Sequence, residues 1–233
     1  MHIEQFRQYC LSKPMVTEEF PFDESTLVFK VCGKMFALTG LENPDSRLLP
    51  EPKSPYAITK LDGEYYCEMF SREGKLDTAV MRYFNVFGPR QDPNGAYAAV
   101  IPKWTAALID EEQVFINGDG ETSRDFCFID NVVQMNILAA TSGLTSSEVF
   151  NVALNDQTTL TQLYDLLRDN LAKYGVERSA KPEYRDFRAG DVRHSRADIT
   201  KAETLLGYAP QYNIGQGLAL AMPWYIEQAQ AKA

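Results

Sequence analysis

From residue 54 onward, helix-period and strand-period patterns alternate along the chain, and that alternation confines it to an α/β architecture. The first such helix is predicted to open with Ser54 as N-cap and Pro55 at the first helical position. It runs to about Phe70 with Ile58, Leu61, Tyr65 and Met69 on one side. Residues 78–84, Thr-Ala-Val-Met-Arg-Tyr-Phe, read as a buried strand. Beyond them the pattern predicts helices over 100–109, 131–141, 159–174, 200–206 and 214–228. Short strands are predicted over 113–116, 124–129 and 149–152. In the helix over 159–174, Leu160, Leu163, Leu166, Leu167 and Leu171 form an inward stripe.

The first 42 residues differ in character. Ile3, Phe6 and Cys10 mark one short amphipathic helix that stops before Pro14. A β-hairpin follows, Leu27–Val31 and Lys34–Leu38 about Cys32-Gly33. Pro44, Pro50 and Pro52 then make an irregular connection. The 233 residues carry 23 Lys+Arg against 32 Asp+Glu, a net charge of −9, which argues against nucleic-acid binding as the main activity. No apolar run has the roughly 20 residues that span a bilayer. Cys10, Cys32, Cys67 and Cys127 show no C-x-x-C or metal spacing, so no metal site is expected, and a reduced, cytoplasmic chain is.

The sharpest chemical candidate is Tyr56-Ala-Ile-Thr-Lys60, which sets a phenol and an ammonium one helical turn apart on one face. A free phenol, with a pKa of about 10, is a poor base at neutral pH. A neighbouring cation favours the phenolate and lets such a residue take a proton from a hydroxyl. An exposed helix pair with no chemical role is the alternative. A second match, Tyr9-Cys-Leu-Ser-Lys13, sits at a helix end before Pro14 and has no supporting context.

Four further segments follow in order: Arg82-Tyr-Phe-Asn-Val-Phe-Gly-Pro-Arg-Gln-Asp-Pro93, Asn117-Gly-Asp-Gly-Glu-Thr-Ser-Arg-Asp-Phe126, Arg188-Ala-Gly-Asp-Val-Arg-His-Ser195 and Leu205-Leu-Gly-Tyr-Ala-Pro210. With Ser54–Lys60 they closely resemble the extended short-chain dehydrogenase/reductases, and within them the bacterial UDP-N-acetylglucosamine 4-epimerases, over about residues 48–229. The resemblance implies Tyr56 as catalytic base, with Lys60 as its partner and holder of the nicotinamide ribose. Tyr83 and Phe84 would flank the nicotinamide, although each also reads as a buried strand aromatic. Asn85 would bond the sugar diphosphate, and Arg124 and Arg188 would grip its phosphates, a task suited to guanidinium geometry. A surface salt bridge is the alternative for either arginine. Asp191 would accept from the uridine ribose, with Phe115, Asn117 and the stretch Ala99, Val100 and Ile101 at the uracil. Ser195, seven residues after Arg188, stands at the family's size gate and would leave room for an acetamido group; a serine ending a loop is the alternative. His194 does not read as a general base. The implied reaction is 4-epimerisation of UDP-N-acetylglucosamine and UDP-N-acetylgalactosamine through a 4-keto sugar, with NAD reduced and reoxidised in each cycle.

Dinucleotide binding in this fold uses a glycine-rich first turn and an acidic residue about 20 positions later. Neither G-x-x-G-x-x-G nor G-x-G-x-x-G occurs in the sequence. The expected fold is therefore a partial Rossmann-like, extended short-chain-dehydrogenase fold without its dinucleotide-binding half but with the C-terminal substrate-binding subdomain. NAD is expected not to be retained, and the family's homodimer interface to be incomplete. Thr17–Asp23 and Phe29–Leu38 resemble the opening of MmcQ/YjbR-type proteins, so the chain reads as residues 1–42 of that kind joined near Leu41–Asn43 to residues 43–233 of the epimerase kind. The first segment has four basic against six acidic residues and no basic patch for nucleic acid. Three functional readings follow: a UDP-hexosamine epimerase impaired by truncation, an inactive UDP-sugar-binding remnant or chimeric fragment, and an interaction module set by residues 1–42. Among enzymes of the family, a nucleotide-sugar dehydratase or decarboxylase is the other candidate.

Overall fold

The computed structural model describes residues 8, 11–12, 15–19, 26–31, 34–40, 52, 55–74, 76–92, 99–188 and 191–231. The helix expected around Ile3, Phe6 and Cys10, the Tyr9–Lys13 match, the turn at Cys32-Gly33, the irregular stretch 43–50 and the N-cap at Ser54 lie outside the described residues. The chain divides into two compact units, Met1–Pro52 and Lys53–Ala233.

In the first unit, the sequence hairpin is present as β2 (Thr26–Val31) and β3 (Lys34–Gly40), paired antiparallel with a register shift at Phe29/Lys30. A third strand, β1 (Val16–Glu19), adds antiparallel to β2. This strand was not foreseen, because four residues with two adjacent glutamates offer little apolar alternation.

In the second unit, α1 (Pro55–Arg72) leads to β4 (Ala79–Tyr83) and β5 (Val86–Phe87). Then come α2 (Val100–Ile109), β6 (Phe115–Asn117), β7 (Ser123–Arg124), β8 (Cys127–Phe128) and α3 (Ile129–Thr141). The remainder is β9 (Glu148–Val152), β10 (Thr158–Thr159), α4 (Leu160–Ala172), β11 (Glu183–Arg185), α5 (Thr200–Leu206) and α6 (Ile214–Gln230). The pairs β4–β9, β5–β8 and β6–β11 are parallel, and β7–β10 is antiparallel. Helices between parallel strands make this the expected partial Rossmann-like α/β fold.

Local sequence explains the helix ends. Thr159 and Gln162 form a reciprocal capping box at the start of α4, and Asn213 and Gln216 form another at α6. Gly207 ends α5 in the left-handed conformation, at φ 66°.

Two apolar clusters hold the unit together. The first gathers Ile101, Trp104 and Leu108 of α2, Leu163, Leu167 and Leu171 of α4, and Leu218, Met222 and Tyr225 of α6. The second gathers Val132 and Met135 of α3, Phe150 and Val152 of β9, Ala202 of α5, and Tyr208. The strand β8 divides them, since Phe128 enters the first cluster while its neighbour Cys127 enters the second. Gly217 lets α6 lie against that seam: a Cβ there would stand 2.8 Å from Phe128 Cβ and from Phe87 Cζ.

Two sequence expectations are corrected. Residues 78–84 form a strand, but not a buried one: 79–81 are half-buried and Arg82 and Tyr83 exposed. Among the described residues β4 pairs only with β9, so one edge carries no neighbour. The single strand expected over 124–129 is two short ones, because Asp125 turns inward between them and Ile129 already begins α3.

Cys127 is fully buried, and burial pushes its thiol up to about 12. Native-state alkylation near pH 8 is therefore expected to modify half-exposed Cys67 and to spare Cys127 until denaturant is added. Peptide mass spectrometry of the labelled protein checks this; rapid native labelling of Cys127 refutes it.

Candidate functional site

Two groups of the residues singled out in the sequence are assembled by the second unit. The first is carried by α1 and β4. Tyr56 and Lys60 are both exposed, and the Lys60 ammonium lies 5.1 Å from the centroid of the Tyr56 ring. The helix is tied to β4 by Arg82, whose guanidinium donates to both Glu64 oxygens at 2.6 and 2.7 Å, and by Thr78, whose hydroxyl donates to Cys67 O. At the end of β4, Tyr83 is half exposed and its hydroxyl donates to Asn136 Oδ1 at 3.0 Å. Phe84 is half-buried against the second apolar cluster.

The second group is built by β6, β7 and the segment 191–195. Arg124 donates through Nη2 to Asp191 Oδ1 at 2.6 Å and through Nη1 to Ser123 O at 2.8 Å and Arg193 O at 3.3 Å. A parallel bridge joins Ser123 to His194, with Ser123 Oγ 2.9 Å from His194 Nδ1 and the Ser195 amide donating to Ser123 O at 3.1 Å. Asn85 reaches this group, donating from Nδ2 to Asp125 O at 3.1 Å. Arg188 is exposed, and its carbonyl accepts from the Asp191 amide. Phe115 and Asn117 alternate with wholly buried Ile116 along β6, which sets the phenylalanine and the amide on one face.

The stretch Ala99–Ile101 is corrected in part. Ile101 turns its side chain into the first apolar cluster, because the apolar face of α2 begins there, and the whole residue is 1% exposed, whereas Ala99 and Val100 are half-buried.

Several residues that sequence reasoning gave no role shape this group. Asp125 is fully buried and accepts backbone N–H bonds from Leu154, Asp156 and Ala197. Arg193 donates to Asp119 Oδ2 at 2.6 Å, and that pairing holds the Asp119 carboxyl below its ordinary value. Arg193 also stands over Phe187, and the Phe187 ring covers Gly118. Arg185 lies on Phe115, 3.2 Å from its centroid. The Gly-Asp-Gly spacing of residues 118–120 was the one available signal, since both glycines take positive φ, 84° and 83°.

Chemically, the second group offers an arginine pinned for phosphate contact, with a carboxylate, an aromatic plane and an amide on adjoining segments. A bound phosphate would compete with Asp191 for Nη2 of Arg124, leaving that carboxylate free to accept hydroxyls. The first group offers a phenol with an ammonium beside its ring on an exposed helix face. The sequence contains no G-x-x-G-x-x-G or G-x-G-x-x-G turn of the kind that presents backbone N–H groups to a dinucleotide's pyrophosphate. Among the described residues no helix is long and apolar enough to cross a membrane.

The chain is 34% identical over 188 residues to the UDP-glucose 4-epimerase of Mycolicibacterium smegmatis, covering 80% of this chain and 58% of that protein. Its fold matches the crystal structure of UDP-glucose 4-epimerase from Thermotoga maritima with UDP-glucose, at 40% identity and a TM-score of 0.71 over 77% of this chain and 55% of that one. It also matches the UDP-N-acetylglucosamine 4-epimerase from Methanobrevibacter ruminantium in complex with UDP-N-acetylmuramic acid, at 38% identity and a TM-score of 0.71 over 80% and 59%. The chain thus spans little more than half the length of the relatives it matches. The family profile for the NAD dependent epimerase/dehydratase family matches residues 26–153, beginning upstream of the junction expected at 41–43. On that match and the shared fold, the chain belongs to the NAD dependent epimerase/dehydratase family.

Proposed function

We propose that residues 53–233 bind a UDP-sugar of the N-acetylhexosamine class, as the substrate half of a 4-epimerase. The observation that carries this is the union of residues 123–124 with 191–195: two motifs about seventy residues apart form one surface with Arg124, Asp191 and Ser195 on it. In this reading Arg124 and Arg188 take the diphosphate, Asp191 the ribose hydroxyls, and Asn85 the diphosphate edge. The end of β6 that carries Phe115 and Asn117, with Ala99 and Val100, borders the uracil, and small Ser195 leaves room for the acetamido group. Tyr56 accepts and returns the sugar hydroxyl proton, with Lys60 supplying the adjacent positive charge. Tyr83 and Phe84 border the position of the nicotinamide. NAD, when bound, would supply the redox chemistry of such a reaction. The residues on this chain account for sugar-nucleotide binding and proton transfer only. Binding without turnover is therefore the activity assigned to the chain by itself, in the cytoplasm, where reduced Cys67 and Cys127 are at home.

Calorimetric titration with UDP and UDP-N-acetylglucosamine tests the reading. Both are expected to bind, and Arg124→Ala or Arg188→Ala to weaken them about tenfold or more, the scale of a lost charge-assisted hydrogen bond. Ser195→Tyr is expected to weaken the acetamido ligand and to leave UDP unchanged. Unchanged affinity in both arginine variants refutes the phosphate site. Stoichiometric NAD in the purified protein, read by absorbance and mass spectrometry, refutes the assignment of binding alone.

A further inference from the structure

Arg185 differs from Arg124 and Arg193 in its partners. Arg124 is committed to Asp191, and Arg193 to Asp119. Among the described residues, the Arg185 guanidinium makes no hydrogen bond or ion pair. It lies on the Phe115 ring, its Cζ 3.2 Å from the centroid, and the residue is exposed. The Phe115 ring covers one side of the guanidinium, and the residue is otherwise exposed.

The backbone fixes that plane. The strand β11 pairs in parallel with β6, matching Glu183 to Phe115 and Arg185 to Asn117. Strand alternation then puts Phe115, Asn117, Glu183 and Arg185 on one face of the ladder. The Arg185 carbonyl accepts from the Gly118 amide at 2.8 Å, which anchors the residue at the point where β6 turns toward Arg124. A flat cation, pre-set on an aromatic ring and flanked by an exposed amide, is suited to stack on a nucleobase.

We propose that Arg185, rather than Phe115, is the residue on which the nucleobase stacks. Phe115 is then a positioning residue: it holds the guanidinium flat, and the base meets the outer face of Arg185 with the Asn117 amide at its edge. This rests on the UDP-sugar reading above, and it changes which side chain touches the base.

Titration of the full chain with UDP, and with inorganic pyrophosphate as a competitor of UDP, tests it. Arg185→Ala is expected to weaken UDP about tenfold, within the range for loss of one base-stacking partner, and to leave the pyrophosphate inhibition constant unchanged. Arg185→Lys is expected not to rescue, since an ammonium has no plane. Phe115→Leu is expected to weaken UDP alone, and Phe115→Tyr to restore it. Unchanged or tighter UDP binding by Arg185→Ala, or an equal loss for UDP and pyrophosphate, overturns the role of Arg185. A wild-type chain that binds neither ligand overturns the UDP-sugar reading itself.

Discussion

Asp125→Ala is expected to destabilise the second unit by roughly 2–4 kcal/mol, a large share of the stability of an ordinary domain. The carboxylate is fully buried. One oxygen accepts the Leu154 amide at 2.9 Å, and the other accepts the amides of Asp156 at 3.2 Å and Ala197 at 3.3 Å. Removing the side chain leaves the buried Ala197 amide without an acceptor, at about 1–3 kcal/mol, and strips the half-buried Leu154 and exposed Asp156 amides of theirs at a smaller cost, since water reaches them. Asp125→Asn keeps one acceptor oxygen but turns an NH2 group toward the other N–H donors, so about half the loss is expected. Urea unfolding of the three proteins, followed by circular dichroism, measures the series. A loss below about 1 kcal/mol for Asp125→Ala refutes the role.

The same carboxyl has a pH signature. Burial pushes its pKa up, and this outweighs the three backbone bonds that pull it down. A carboxyl whose folded value is raised contributes stability that is complete below the ordinary carboxylate range and is lost as pH rises through the raised value. The stability gap between wild type and Asp125→Asn is therefore expected to be widest near pH 4 and to narrow toward neutrality. A gap that widens with pH contradicts this.

Gly120→Ala is the second large effect. The residue holds φ 83°, and an added Cβ would overlap Thr161 Oγ1 and stand 3.0 Å from Tyr184 Cε1. Left-handed backbone costs an L-residue about 1–2 kcal/mol, and overpacking adds about 1–3, so a loss of roughly 2–5 kcal/mol is expected. Movement of the turn would also disturb both strands it joins, β6 with Phe115 and Asn117 and β7 with Arg124. Weaker UDP binding should accompany the fall in melting temperature. Gly143→Ala is the control, since nothing lies within 4 Å of a Cβ there, and it should be close to neutral. Similar melting temperatures for the two variants would refute the packing argument.

Much of the helical frame was legible because its signals are local. The leucine stripe of α4 needed no knowledge of the rest of the chain, although Thr159, placed inside that helix, is its N-cap. The polarity of β4 was not legible: Ala-Val-Met predicts burial, but burial depends on how many neighbours a strand acquires, and among the described residues β4 has one. Nor was β11, whose Glu-Tyr-Arg sequence is exposed throughout and is a strand only because β6 offers it an edge. In the site, the residue types of the ordered motifs suggested phosphate and hydroxyl contacts. The side chains that hold them in place were less visible. Asp125 was quoted within a motif with no role, because a carboxylate between Arg124 and Phe126 shows its three distant amide partners only after folding. Arg185 carried no motif signal at all.

The clamp between residues 123–125 and 194–197 bears on the order of folding. Its contacts span 71 residues from Ser123 to His194 and 72 from Asp125 to Ala197. Closing so long a loop costs entropy before any contact offsets it, whereas helices such as α4 gain their bonds within single turns. The clamp is thus expected to assemble late on the folding route, after the helical frame that supports it. Substitutions at the clamp should then act chiefly by hastening unfolding, leaving the refolding rate nearly intact.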